Sequence, residues 1–315
     1  MKRKAIIISI AGKSLSNKEK KLISSNKPWG IILFKRNVQS FNQLKNLILS
    51  IKKTIKDNHY PILIDEEGGD VSRLSKFLSN KKFSQKFFGD LYDIDKKLSF
   101  SLYTNYINSL CNFLNKLGIN INTVPVLDIS FQNTNKILKN RIYSCNKKIV
   151  NDLGVICLKT YKKNKIHCVI KHMPGHGRSS SDSHKVLPVI NKSLKELNKN
   201  DFNCFKNKNS LFAMTAHIIY NKIDSKNPAT HSEYIIKNII RKEIKFRGIL
   251  ISDDISMKAL KNDLVTNALK SIKAGCNLAL YCSGKYSESA KLLKHVPLID
   301  NFTIKKTSEF YKFLR

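Results

Sequence analysis

No stretch of this sequence approaches the ~20 apolar residues that a membrane-spanning helix needs. The nearest suspect is the start, where Met1-Lys2-Arg3-Lys4 precedes an apolar run from Ala5 to Ala11. A basic head and a short apolar run suit a secretory signal, but the run breaks at Lys13 and no small-x-small cleavage site follows. Its isoleucines, Ile6, Ile7, Ile8 and Ile10, read better as a buried first strand. CxxC pairs are also missing. The seven cysteines are odd in number and scattered, which argues against a disulfide framework or a structural zinc site. They read as small apolar fillers in a reducing compartment, so a cytoplasmic protein is expected. Linkers, low-complexity tracts and obvious repeats are absent too. Residues 1–315 are therefore expected to form one domain, of a size that a barrel of about 250 residues plus insertions accommodates.

Acidic residues are scarce: 23 Asp and Glu stand against 57 Lys and Arg, a formal charge of +34. Such an excess raises the question of a nucleic-acid partner. The lysines, however, are spread along the whole chain among asparagines and isoleucines, and no aromatic-basic recognition module interleaves them. The expectation is weak adhesion to polyanions and no dedicated nucleic-acid or membrane partner. Nothing in the sequence calls for more than a monomer.

What is present is alternation. Eight apolar runs read as buried strands: Ala5–Ile10, Gly30–Phe34, Pro61–Ile64, Ile119–Val126, His167–Ile170, Leu211–Thr215, Gly248–Ile251 and Cys276–Tyr281. Between them lie helical faces. One carries Phe41, Leu44, Leu47, Ile48, Ile51 and Ile55. Another carries Phe100, Tyr103, Ile107, Leu110, Leu114 and Leu117, with Gly118 as its stop. A third follows Pro228, with Ile235, Ile236, Ile239, Ile240 and Ile244. Periodicity does not separate a closed barrel from an open doubly wound α/β sheet, but eight strands favour a (β/α)8 TIM-type barrel. Asp65, Asp128, Lys171-His172, His217 and Asp253-Asp254 each follow a strand. In a barrel that rim carries the active site.

Three segments carry chemistry. The first, Lys171 to His184, contains three histidines and is rich in Gly, Pro and Ser, so it reads as a loop. His184 with Asp182 beside it suits proton transfer, since a carboxylate favours the protonated imidazole and an unperturbed pKa of about 6.5 serves both directions near neutrality. Metal binding by His172, His176 and His184 is the rival reading, weakened because Gly175 and Gly177 disfavour a helix there. The second, Ile249 to Met257, has a strand running into Asp253 and Asp254 with a helix expected to begin directly after. One Asp can cap that helix while the other faces the pocket as a nucleophile. The third, Pro61 to Arg73, ends a strand in Asp65, Glu66 and Glu67. A carboxylate and an Arg fork there suit sugar hydroxyls, although a merely charged turn would read the same way.

Together these segments resemble family 3 glycoside hydrolases, and within them the bacterial NagZ-type β-N-acetylhexosaminidases. Lys171-His172-Met173-Pro174-Gly175-His176-Gly177 with Asp182-Ser183-His184 is similar to that family's K-H-F-P-G-H-G…D-S-H pattern, and Gly248 to Met257 to its nucleophile segment. Further matches run through Gly30–Asn37, Pro125–Asp128, Met214–His217 and Ala274–Cys276, so the resemblance spans nearly the whole chain. It implies a retaining β-N-acetylglucosaminidase that needs no cofactor and no metal. Its implied substrate is N-acetylglucosamine linked to anhydro-N-acetylmuramic acid, with or without peptide, from recycled peptidoglycan. A β-glucosidase-like activity is the nearest enzymatic alternative. Asp253 would be the nucleophile, His184 the acid/base and Asp182 its polarising partner. Asp65, Arg73, Arg141, Lys171 and His172 would bind the sugar, with Asp254 structural and His176 shaping the loop. The sequence departs from the pattern at Glu66, Asp70, Arg178 and Asn277, which touches no implied catalytic group but puts loop docking and the leaving-group side in question.

Overall fold

Isoleucine, valine and leucine dominate the runs that become strands, and buried on both faces such runs pair in parallel under a coat of helices. The computed structural model describes residues 2–181 and 186–315. Its strands are β1 (Lys4–Ile8), β2 (Pro28–Leu33), β3 (Ile62–Ile64), β4 (Ile121–Asn122), β5 (His167–Met173), β6 (Val189–Ile190), β7 (Phe212–Thr215), β8 (Ile219–Tyr220), β9 (Ile249–Asp254) and β10 (Leu278–Tyr281). Eight of them close a parallel barrel in the order β1-β10-β9-β7-β5-β4-β3-β2. The fold is thus the (β/α)8 TIM-type barrel, and each barrel strand falls on one of the eight runs. β6 and β8 form a separate parallel pair that the runs do not anticipate.

The ends of several strands differ from expectation for physical reasons. The fourth run was expected to reach Val126, yet β4 stops at Asn122, three residues before Pro125, which has no N–H to donate. Two asparagine side chains replace the missing ladder bonds. Asn120 Oδ1 accepts the Ile62 N–H at 2.9 Å, and Asn122 exchanges bonds with both the N–H and the C=O of Glu66 at 3.0 and 2.8 Å. β5 runs on to Met173, so Lys171 and His172 stand on a strand and not in a loop. β9 likewise includes Asp253 and Asp254. The helix expected directly after them begins only at Leu264, capped by Asp263. Asp254 instead caps a turn, accepting from the N–H and hydroxyl of Ser256 at 3.1 and 2.7 Å.

The helices that cover the barrel follow their apolar stripes. Phe41–Ile55 is capped by Ser40, and Lys96–Leu117 is capped by Asp95 and ends at Gly118, whose φ of 85° is left-handed. The isoleucine-rich segment after Pro228 becomes a wide, π-type helix over Ile235–Glu243, closing with the Ile244 N–H on the Ile239 carbonyl at 2.8 Å. No helix among the described residues is long and apolar enough to cross a membrane.

Candidate active site

The barrel sets the carboxyl ends of its strands around one cavity of about 240 Å³. Asp65, Arg73, Arg141, Lys171, His172 and Asp253, six of the residues singled out from sequence, all line it. Asp182 and His184 lie outside the described residues.

One wall is an ionic cluster. Asp65, where the chain leaves β3, accepts from Thr123 Oγ1 and Lys171 Nζ on one oxygen (2.6 and 2.7 Å) and from Arg73 on the other (2.5 Å). Burial alone would raise its pKa. Lys171, Arg73 and Arg141 outweigh that and hold the carboxyl well below its ordinary value. Lys171 also meets Glu67 at 2.5 Å, and Glu67 receives a two-pronged bond from Arg141, 2.8 Å on each oxygen. Glu67 is depressed in the same way, with burial opposed by Arg141 and Lys171. Arg73 stands over the Phe34 ring, 5.3 Å from its centre. Three cations face two ionised carboxylates, so the wall keeps one positive charge beside the cavity.

A second wall is built on Asp128. One of its oxygens accepts the Nδ1 proton of His172 at 2.8 Å and the other the His176 N–H at 2.5 Å. Burial again opposes ionisation, and these donors overcome it, so Asp128 is an acceptor and His172 carries its proton on Nδ1. His176, 5.5 Å from His172 between ring centres, is pushed down to about 4 by burial and by His172, so it is neutral near pH 7. Asp253 completes the ring. Its Oδ1 accepts the Asp254 N–H at 2.8 Å. Burial disfavours its charge, but His217, His172 and His176 together with that N–H lower its pKa overall. Asp254 differs: burial raises it, and its oxygens are taken by Ser256 and the Cys282 N–H. Of two adjacent aspartates, one is a half-buried ionised carboxylate on the cavity and the other holds a turn.

The departures from the motif pattern have structural tasks. Glu66 accepts from the N–H groups of Arg73 and Leu74 at 2.7 and 2.9 Å and from Asn80 at 2.6 Å, which shapes the segment carrying Arg73. Asn277 accepts from Arg241 and the Leu250 N–H, both at 2.8 Å. Asp70 is on the surface with Asn140. Arg178 bridges Asp201 (2.9 Å) and Glu196 (3.1 Å) and lies 3.9 Å over the Phe131 ring, pinning the segment that follows β5. Sequence reasoning gave no separate role to Glu67, Thr123 or Phe34, and it marked Asp128 and His217 only as rim residues. Their positions just past strand ends were the available signal; their partners were not readable. Among the described residues no three His, Cys, Asp or Glu side chains meet in a way that could hold a metal ion.

Three comparisons bear on this geometry. The model of the "Glycosyl hydrolase family 3 N terminal domain" matches residues 4–307. A beta-hexosaminidase of Neisseria meningitidis FAM18 is 32% identical over 287 residues, covering 89% of this chain and 78% of its own. One from Haemophilus influenzae Rd is 30% identical over 287 residues, covering 89% and 79%. The crystal structure of NagZ from Neisseria gonorrhoeae in complex with N-trifluoroacetyl-D-glucosamine superposes with a TM-score of 0.89 at 28% identity, covering 100% of this chain and 91% of that one.

Proposed function

The chain belongs to glycosyl hydrolase family 3 and is a glycoside hydrolase, and from that premise we propose that it is a retaining β-N-acetylglucosaminidase acting through a covalent glycosyl-enzyme. The observation that carries the reading is Asp253: a carboxylate kept ionised in the cavity that Lys171, Arg73 and Arg141 also line. A nucleophile must be ionised, and a sugar must be held by donors and acceptors beside it.

Asp253 attacks the anomeric carbon from one face while His184, polarised by Asp182, gives its proton to the departing glycosidic oxygen. Water, losing a proton to His184, then adds to the anomeric carbon, and the ester to Asp253 breaks with net retention. Asp65, Arg73, Arg141, Lys171 and His172 bind the N-acetylglucosamine. The chemistry asks for no metal and no organic cofactor, and full activity in a chelator is the expected result. The named beta-hexosaminidases and the ligand in the NagZ complex support the acetamido sugar as substrate. We place the leaving group as anhydro-N-acetylmuramic acid or its peptides, the enzyme as a cytoplasmic monomer in peptidoglycan recycling, and residues 1–315 as one catalytic domain. Seven free cysteines are in keeping with that compartment.

The test is release of nitrophenol from 4-nitrophenyl β-N-acetylglucosaminide beside the matching β-glucoside. Wild type should cleave the acetamido sugar selectively, and Asp253→Ala should abolish turnover while leaving the fold intact. Preference for the glucoside would move the substrate, and an active Asp253→Ala would remove the nucleophile assignment.

A further inference from the structure

A second cavity, of about 410 Å³, opens at the other end of the barrel, where the chain enters β5, β7 and β9, and shares no lining residue with the first. Its floor is apolar, formed by Leu158, Phe205, Phe246 and Phe313. Its walls carry five cations, Lys162, Lys208, Lys245, Arg247 and Lys306, against one carboxylate, Glu309. Glu309 is occupied by Lys306 at 2.9 Å, which leaves four cations unpaired by any lining acid. In a chain this basic, lysines on a convex surface mean little. In a concavity over an apolar floor the same charges add, because a low-dielectric base focuses the field.

Two partly buried groups sharpen the point. Lys208 Nζ donates only to neutral oxygens, Asn151 Oδ1 at 2.7 Å and the Lys206 carbonyl at 3.3 Å, and burial lowers its pKa. A partly desolvated ammonium with no carboxylate bonded to it is a standing cost that an anion would relieve. His167 Nε2 is buried without a hydrogen-bond partner among the described residues, with its ring 4.2 Å from that of Phe313. Asn207, Asn209 and Ser210 add uncharged polar groups to the rim. The volume is that of a small-molecule site of ~300–1,000 Å³, combining an aromatic floor with a cationic wall.

We propose that this cavity binds an aromatic organic phosphate, in class a nucleoside polyphosphate, its phosphates among Lys162, Lys208, Lys245 and Arg247 and its ring against Phe313. The site stands apart from the hydrolytic one, so its occupancy can be measured without reference to hydrolysis.

The experiment is calorimetric titration of the full chain with ATP, with adenosine and tripolyphosphate run separately. One ATP should bind per chain, with adenosine and tripolyphosphate each at least about tenfold weaker, since each supplies only half of the recognition. Lys208→Ala combined with Arg247→Ala should weaken ATP at least about tenfold, as should Phe313→Ala alone. The double variant Lys18→Ala, Lys20→Ala removes the same charge from an exposed helix at residues 17–26 and should leave the affinity unchanged. Equal weakening by that control would reduce the effect to overall charge and overturn the site. So would tripolyphosphate binding as tightly as ATP, or no heat at millimolar ATP.

Discussion

Asp128 holds the Nδ1 proton of His172 at 2.8 Å from a position with almost no solvent exposure. This fixes which ring nitrogen of His172 is left for the cavity, because the nitrogen facing an ionised carboxylate must be the one that carries hydrogen. Its second oxygen anchors His176 through the backbone, so one carboxylate sets both the tautomer and the exit path of the chain. Asp128→Asn keeps the shape and loses the charge. It should lower kcat/KM by about 10- to 100-fold, the range seen when groups behind a binding residue are altered, with the enzyme still folded by circular dichroism. Unchanged kcat/KM would separate His172 from the sugar.

Asp65, Glu67, Asp128 and Asp253 are all held below their ordinary values. A carboxylate with a depressed folded pKa contributes stability that is complete above its unfolded value, about 4, and is lost as pH falls through the folded one. Urea unfolding should therefore show steady loss from about pH 4 downward, and Asp65→Asn should flatten that acid limb. A wild-type curve level between pH 5 and pH 3 would contradict the cluster's charge state.

Asp201 has the opposite sign. Burial raises it to about 6 even though Arg178 opposes the shift. With a folded pKa above the unfolded value of about 3.9, its contribution is complete below that value and is lost as pH rises through about 6. Relative to Asp201→Asn, the wild type should lose about 1–3 kcal/mol of stability between pH 4 and pH 7. Unfolding of both proteins across that window checks it, and a constant difference would mean that Arg178 fully offsets the burial. The ion pair with Arg178 thus holds the segment after β5 at the expense of burying a charge.

Gly177 sits where the chain passes close against its neighbour: a Cβ there would lie 1.8 Å from the Ile129 carbonyl oxygen. The obstacle is backbone, so Gly177→Ala must displace the segment that leads from His176 towards Ser181, both cavity residues. A shift of about 1 Å in a positioning segment costs on the order of 10²-fold in rate, and kcat should fall accordingly while thermal unfolding moves only modestly. Gly12→Ala, with nothing within 4 Å of the added carbon, is the control and should behave as wild type.

Eight strands were legible because β-branched runs announce buried parallel strands, but their ends were not. Asn120 and Asn122 carry ladder bonds through side chains, which no propensity encodes, and the strand is interrupted before Pro125, with pairing resuming at Val126 against Lys171. The two-residue strands at Val189 and Ile219 are too short for any period to register. At the site, the ionisable residues past the strand ends could be read in order, and the motif resemblance lent them roles. Their pairings could not be read. Arg141 meets Glu67 across 74 residues because the segments that carry them leave β3 and β4, which pair side by side in the barrel. The motif also could not tell that Lys171 and His172 ride on a strand, a matter decided by the pairing of the flanking Ile170 and Met173 with β7 and of Lys171 with Val126.

The barrel closes where β1 pairs with β10, Ile6 against Ala279 and Ile8 against Tyr281. A ribosome makes β1 first and β10 last among the barrel strands, so throughout synthesis the emerging sheet presents an isoleucine-rich edge with no partner. Such an edge invites pairing with other chains. Closure is then a late, long-range event, and a chain arrested before residue 278 would keep that edge open and pass to chaperones or proteases.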